Sequence, residues 1–310
     1  MGILDTVFRD MAVTGGVFAR CAYHGDWQMA LEARGGQMLF HVIKDGGTEF
    51  ELLSPNHRRQ RVSLAAGDIV VLPYGDAHRL WRGESQPVVP KLLAVTDLNR
   101  FTNLNDERTG DPTVFLCGYY QLDQIRSHPL LRRLPRAMHI RAGHDAGQMA
   151  SIIALIDREA HTSTDGSQTI MNRLTEPLLI YLLRAWTQQQ QTPVGLLAAF
   201  ADPVVSRALA AMHSKPEHHW TVAILGREAR ASRAKFAKRF QDLLGYGPIE
   251  YLKQLRMTRA MELLRDTRMP LTRIAEQSGY ESAAAFSKAF KKHTSLSPQQ
   301  YQRGQPIAKR

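Results

Sequence analysis

Up to about residue 120, apolar and polar positions trade places over short stretches. Alternating or continuous apolar runs occupy residues 37–42, 48–53, 60–64, 68–72 and 91–95, and 114–118 reads the same way. Between them lie Asp45-Gly46-Gly47, Ser54-Pro55-Asn56, Ala66-Gly67 and Tyr74-Gly75-Asp76, residue types that supply the backbone angles of tight turns. Short strands this closely spaced predict a small β-barrel or jelly roll. From about residue 148 to 190 the period becomes helical. Ile152, Ile153, Leu155 and Ile156 belong to one predicted helix, and Leu174, Leu178, Tyr181, Leu182 and Trp186 to a second. The polar stretch 161–167 reads as the loop between them. The second helix is apolar around much of its circumference, which predicts burial against the barrel, a second subunit or both. A run of Gln before Pro193 marks a linker, drawn at 187–202. Asp202-Pro203 then supplies an N-cap and a first-turn proline for a region that is helical to about residue 303. The expected class is α+β in two domains: a β-barrel with following helices at 1–186 and an all-α domain at 203–303, with a tail at 304–310.

The all-α domain contains one unit twice. A gap-free offset of 50 pairs Ile224 with Ile274, Ser232 with Ser282, Phe236 and Phe240 with Phe286 and Phe290, Lys238 with Lys288, Pro248 with Pro298, and Tyr251 with Tyr301. Each copy reads as a short apolar helix, a tight turn, a Ser cap and a basic helix with Phe at i and i+4. That is the pattern of a helix-turn-helix, and two in tandem predict a grip on two consecutive stretches of DNA groove. The first copy is expected at 222–228 and 232–244, ended by Gly245 and Gly247-Pro248, and the second at 271–277 and 282–293. Gly279 suits a turn position with positive φ; its counterpart by the offset is Ala229.

The paired Phe residues are expected core anchors. The opposite faces carry the candidate DNA contacts: Ser232, Arg233, Ala234, Lys235, Ala237, Lys238 and Gln241, then Ser282, Ala283, Ala284, Ser287, Lys288 and Lys291. Lys and Arg donate to guanine, Gln pairs with adenine and Ala touches the thymine methyl. A phosphate contact is the alternative for each; Arg233 and Lys238 stand evenly between the two, and Lys291 fits phosphate better. The helix between the copies, 249–265, is about 25 Å long at 1.5 Å per residue. Its expected buried face is Ile249, Leu252, Ala260, Leu263 and Leu264. Such a spacer can hold two recognition helices about one DNA turn, ~34 Å, apart. Arg256 projects from the apolar face and reads as structural, its stem buried and its head on carbonyls or a carboxylate.

Charge separates the domains. Residues 203–310 hold 20 Lys+Arg against 8 Asp+Glu, a net of +12, whereas residues 1–202 are at −1, giving +11 for the 310-residue chain. A polyanion partner for the C-terminal domain follows. Two cysteines exclude a disulfide framework and fit the cytoplasm. No stretch approaches the ~20 apolar residues of a membrane span, and the N-terminus lacks the basic and apolar regions of a secretory signal. P-loop, nucleophile elbow and dinucleotide fingerprint are all missing from the sequence, so neither an enzyme nor a cofactor is expected. His218-His219 reads as surface, since neighbouring side chains diverge.

Gly279-Tyr280-Glu281-Ser282, then Phe286-Ser287-Lys288-Ala289-Phe290-Lys291-Lys292 and Ser297-Pro298-Gln299-Gln300-Tyr301-Gln302-Arg303, resemble the C-terminal signature of the AraC/XylS family of bacterial transcription regulators. The spacer, with Tyr251-Leu252, Arg256, Ala260 and Leu263-Leu264, is similar to theirs, and the resemblance spans about 203–303. Ser295-Leu296 departs from it, since the family usually has Gly before Ser-Pro. The resemblance implies promoter binding by a nucleoid-associated regulator, often an activator that contacts RNA polymerase.

Gly67-Asp68, Pro73-Tyr74-Gly75 and His78 resemble the second cupin motif, with His78 pointing into the barrel. The first motif's His-x-His is absent: His41 is there, with Asp45 and Glu49 further on. A facial metal site needs about three ligands in register, so a hydrogen-bonded histidine is expected and no metal. Cupin-bearing members of the family use the barrel as a sensor and for homodimer formation. Some answer oxidants or electrophiles, and residues 116–122 with His128-Pro129-Leu130-Leu131 and Leu134-Pro135 look like theirs. Cys21, between Arg20 and His24, and Cys117 are therefore candidate redox residues, with His41 and His78 as effector candidates. A nearby cation would lower a thiol pKa; two small buried apolar residues are the alternative. Against a regulator controlled by a small molecule or redox signal stand a metal-dependent cupin enzyme with a DNA-binding appendage and a plain nucleoid-binding protein.

Overall fold

The computed structural model describes residues 13–53, 61–84, 101–106, 109–121, 134–143, 146–162, 164–189 and 196–304. They fall into two compact units, one on each side of residues 190–195.

In the N-terminal unit the strands are β1 (Thr14–His24), β2 (Trp27–Leu31), β3 (Gln37–Asp45), β4 (Gly47–Leu52), β5 (Arg61–Ala65), β6 (Ile69–Leu72), β7 (His78–Arg82), β8 (Thr102–Asn105), β9 (Pro112–Gln121) and β10 (Met138–Ile140). Among the described residues they form a six-stranded sheet, β10-β6-β3-β9-β1-β8, and a four-stranded sheet, β2-β7-β4-β5. Inward-facing side chains of both sheets, including Phe18, Trp27, Met29, Phe50, Leu80 and Phe115, make one buried core. The runs at 37–42, 48–53, 60–64, 68–72 and 114–118 are β3, β4, β5, β6 and part of β9; residues 91–95 and 128–131 lie outside the described residues.

β1 is the longest strand and was not predicted, because Gly15-Gly16 interrupts its pattern. Both glycines sit under α2 (Ser167–Gln189), which follows α1 (Ala146–Thr162). A Cβ on Gly15 would clash with Thr175 Oγ1, and one on Gly16 would lie 3.0 Å from Asn172 Oδ1, both on α2. The helix can approach the sheet closely only because these positions are bare. The end of α2 runs through Gln189, into the predicted linker, whose last residues form α3 (Leu196–Ala201).

The C-terminal unit continues with α4 (Pro203–Ser214), α5 (Val222–Glu228), α6 (Arg233–Leu244), α7 (Pro248–Asp266), α8 (Leu271–Gln277), α9 (Ala283–Thr294) and α10 (Pro298–Gly304). Asp202 caps α4: its Oδ1 accepts from the backbone N–H groups of Val204 and Val205, each at 2.9 Å. Its other oxygen accepts from Arg239 Nε on α6 at 2.7 Å. Phe236 and Phe240 pack edge to face at 5.7 Å, with Phe240 equally close to Tyr251 of α7. Phe286 and Phe290 join Met257, Ala260, Met261, Leu264 and Ile274 in a second core. The spacer α7 therefore feeds both cores from different faces. The single apolar face predicted for it was too narrow: Tyr251, Leu255, Met257 and Met261 are buried, whereas Ile249 and Leu263 are only half-buried.

The repeat is not gap-free. Leu225 and Gly226 are the buried residues of α5, and their partners in α8 are Ile274 and Ala275, an offset of 49. The turn bonds keep that offset: Ala231 N–H donates to Gly226 O in one copy and Tyr280 N–H to Ala275 O in the other. Ile224 is thus not the equivalent of Ile274. Arg230, at φ 54°, is the equivalent of Gly279, at φ 71°, in place of Ala229. The second turn carries one more residue, after which the offset is 50 from Ser232 and Ser282 onward. Ser295 takes the left-handed cap position (φ 64°) that Gly245 (φ 74°) occupies in the first copy. A hydrogen bond from Leu296 N–H to Thr294 Oγ1 supports that departure from glycine.

Candidate DNA interface and the buried cluster of the barrel

Each recognition helix is oriented by its own sequence. Phe at i and i+4 buries one face of α6 and α9 completely, so the opposite face is left outside. Arg233, Ala234, Lys235, Lys238 and Gln241 of α6 are exposed, as are Ala284, Lys288 and Lys291 of α9; Ala237, Ala283 and Ser287 are half-buried at the margin. Ser232 accepts from Lys235 N–H and Ser282 from Ala285 N–H, so both hydroxyls are N-caps at the leading end of their helices. The Ser287 hydroxyl donates back to Ala283 O at 2.7 Å, leaving its lone pairs outward. Arg239 is engaged by Asp202 and belongs to the fold. Exposed cations outside the predicted set include Arg230 in the first turn and Lys292 at the end of α9.

In the barrel, Cys21, Cys117, His41 and His78 are all fully buried. His41 stands opposite Cys117 across β3 and β9, and Cys21 is diagonal to Cys117 across β1 and β9. His78 comes from the facing sheet. His41 Nδ1 is 3.0 Å from Cys117 Sγ, and His41 Nε2 is 2.7 Å from His78 Nε2. His78 Nδ1 is 2.8 Å from Asp76 O, which can only accept, so that nitrogen carries the proton. His78 Nε2 then accepts from His41 Nε2–H, and His41 Nδ1 accepts from the Cys117 thiol, which in turn is hydrogen-bonded to Cys21. The cluster is a one-directional chain, and burial keeps His41, His78 and Cys117 neutral. Desolvation pulls His78 down to about 4 against the opposing Asp76 bond. His41 is held well below the ordinary range by desolvation and then by His78. Cys117 is pushed up by desolvation, then by Cys21.

One expectation changes here. Strand alternation turns Arg20 to the other face of β1, where it meets Asp157 of α1 at 3.3 Å, so it cannot activate Cys21. The donors also do not fit a cupin metal centre. His41 meets Cys117 and His78 through opposite ring nitrogens, so the donors are strung along a line. Glu49 faces away, bonded to Ser63 and Arg61, and the Asp45 carboxylate is at the surface with Gly46 N–H. The ligand set that the enzyme alternative requires is not gathered at one point.

Two helix-turn-helix units with basic outward faces, joined to a cupin-type barrel, define a DNA-binding regulator. Residues 3–188 match the family model described as Cupin, and residues 225–304 that described as a helix-turn-helix domain. The chain belongs to the cupin-bearing, AraC-type family of helix-turn-helix transcriptional regulators. It is 29% identical to an "Uncharacterized HTH-type transcriptional regulator" of Haemophilus influenzae over 98% of this chain and 99% of that one. Identity to the regulator AlkR of Acinetobacter baylyi is 29%, over 97% and 99%. Identity to the "RCS-specific HTH-type transcriptional activator RclR" of Escherichia coli is 24%, over 97% of each chain. The function is DNA-binding transcriptional regulation, and the family is one of regulators, not enzymes. Among the described residues no helix is long and apolar enough to cross a membrane.

Proposed function

We propose that α6 and α9 enter two successive major-groove segments of promoter DNA, with Arg233, Lys238, Gln241, Ser287 and Lys288 nearest the bases and Lys291 on phosphate. The observation that carries this is the pairing of a fully buried Phe face with an exposed polar and basic face on both helices. Lys238→Ala and Lys288→Ala are each expected to weaken a selected site by about 1–3 kcal/mol and relax preference at one base position. Unchanged affinity and base preference in a gel-shift titration would sink this assignment.

The N-terminal domain is the effector-responsive part, biasing the protein between transcriptionally active and inactive states. A small molecule or an oxidant is the effector class, and the buried Cys21–Cys117–His41–His78 chain is the element on which it acts. The chain supports this reading as a polar line inside an apolar core, where any change in one member breaks the bonds of the next. Activation proceeds through contact with RNA polymerase, in the cytoplasm and at the nucleoid. Homodimer formation through α1 and α2 is supported by Leu155 and Ile170, 42% and 45% exposed. Ile170, Leu174, Pro177 and Tyr181 continue a helical stripe on α2. Genomic footprints with and without oxidants and candidate metabolites test the effector. Sedimentation showing only monomer at micromolar concentration, on and off DNA, would remove the dimer.

A further inference from the structure

Arg256 stands in the middle of α7, the helix common to both cores, and its head reaches both helix-turn-helix units. Its Nε donates to Pro216 O at 2.8 Å and its Nη2 to His218 O at 2.9 Å. Those carbonyls belong to the loop that leads into α5, the support helix of the first unit. The same loop is closed on itself by Trp220, whose indole N–H donates to Lys215 O. On its other side the guanidinium lies against Gly279 in the turn of the second unit. A Cβ there would fall 2.6 Å from Cζ and Nη2 and 2.7 Å from Nε, so any larger side chain would push the guanidinium aside. Tyr280 follows, its ring edge to face with Phe286 at 5.7 Å, so the turn is fastened to the recognition helix α9.

We infer that Arg256 is the positioning residue that sets the phase between the two recognition helices. The inference rests on the two-segment reading of α6 and α9. A helix held at both ends by separate hydrophobic cores still leaves each unit free to rock about it. A planar fork bonded to one unit and stacked on the backbone of the other removes that freedom. Lysine substitutes only in part, because one ammonium does not reproduce two fixed, coplanar donors and a flat face. Gly279 is the matching half of the device: its bare Cα lets the guanidinium lie flat, in addition to allowing the turn its positive φ.

Rigid coupling gives the two half-sites a shared affinity far above either alone, and makes it depend on their spacing. One inserted base pair moves the second half-site by ~3.4 Å and ~35°. The test uses the full chain, a site selected in vitro by the wild-type protein, variants of that site with one to three base pairs added or removed between the segments, and each half-site alone. Wild type is expected to lose about tenfold or more per misplaced base pair. Arg256→Met is expected to bind half-sites as wild type does, to bind the intact site about tenfold more weakly, and to lose most of the spacing preference. Gly279→Ala, which displaces the guanidinium with Arg256 present, should reproduce that flattened profile, and Arg256→Lys should fall between. The inference is overturned if folded Arg256→Met keeps the wild-type spacing profile, or if its half-site binding falls in step with intact-site binding, which is the mark of general destabilisation. If Arg256→Met does not fold, the same two results with Gly279→Ala decide. A wild-type protein indifferent to spacing would instead overturn the two-segment reading itself.

Discussion

Replacing His78 by Gln removes an imidazole that is fully buried, donates to Asp76 O and accepts from His41. In the folded chain its pKa is drawn down to about 4, mainly by desolvation, against an ordinary value of about 6.5. The folded state therefore binds this proton more weakly than the unfolded state. The associated stability is complete above about pH 6.5 and is lost as pH falls toward 4, a loss of about 3 kcal/mol at 1.36 kcal/mol per unit. His41, lowered in the same direction, adds to the loss. Gln can still accept from His41 but does not titrate. Urea unfolding of the N-terminal unit, followed by hydrogen exchange of the β3 and β7 amides, should show the wild type losing stability between pH 7 and 4.5. His78→Gln should start lower at pH 7 and lose clearly less over the same interval. Parallel pH profiles for the two proteins would refute the buried neutral pair, because carboxylates elsewhere titrate equally in both.

Ser295→Gly should stabilise the second helix-turn-helix by about 1 kcal/mol, since a left-handed residue with a Cβ is relieved of its steric cost; a destabilised variant in denaturant melts would show that Ser295 carries no such cost. Asp202→Ala should cost about 1 kcal/mol in amide protection of α4. Burial alone would raise the Asp202 carboxyl, but the bonds from Val205, Arg239 and Val204 outweigh it and hold it low. Its contribution is therefore full above about pH 4 and fades as pH falls through the lowered folded value, a dependence that Asp202→Asn should abolish.

What was legible in the sequence was local. Phe at i and i+4 with a Ser cap orients a recognition helix without help from elsewhere, and the buried Phe faces of α6 and α9 match that pattern, with Ala237, Ala283 and Ser287 at the margin of the exposed faces. The cupin turn residues placed His78 inside the barrel for the same reason. Non-local pairing was not legible. His41 and His78 meet across two different sheets, and Cys117 reaches His41 through the register of β3 on β9. Reading Arg20 as a neighbour of Cys21 used chain proximity where alternation decides. The one-residue shift in the repeat was hidden because Arg230 adopts a conformation that glycine marks in the second copy. β1 was hidden by the two glycines that let α2 approach it.

The central claim is that α6 and α9 occupy adjacent groove segments on one face of a single duplex. Hydroxyl-radical footprinting of the full chain on a selected site measures this directly, with wild type, Lys238→Ala and Lys288→Ala side by side. Two protected segments about ten base pairs apart are expected, each variant weakening a different one. One protected segment for the wild type, or an equal loss across both segments in either variant, would contradict it.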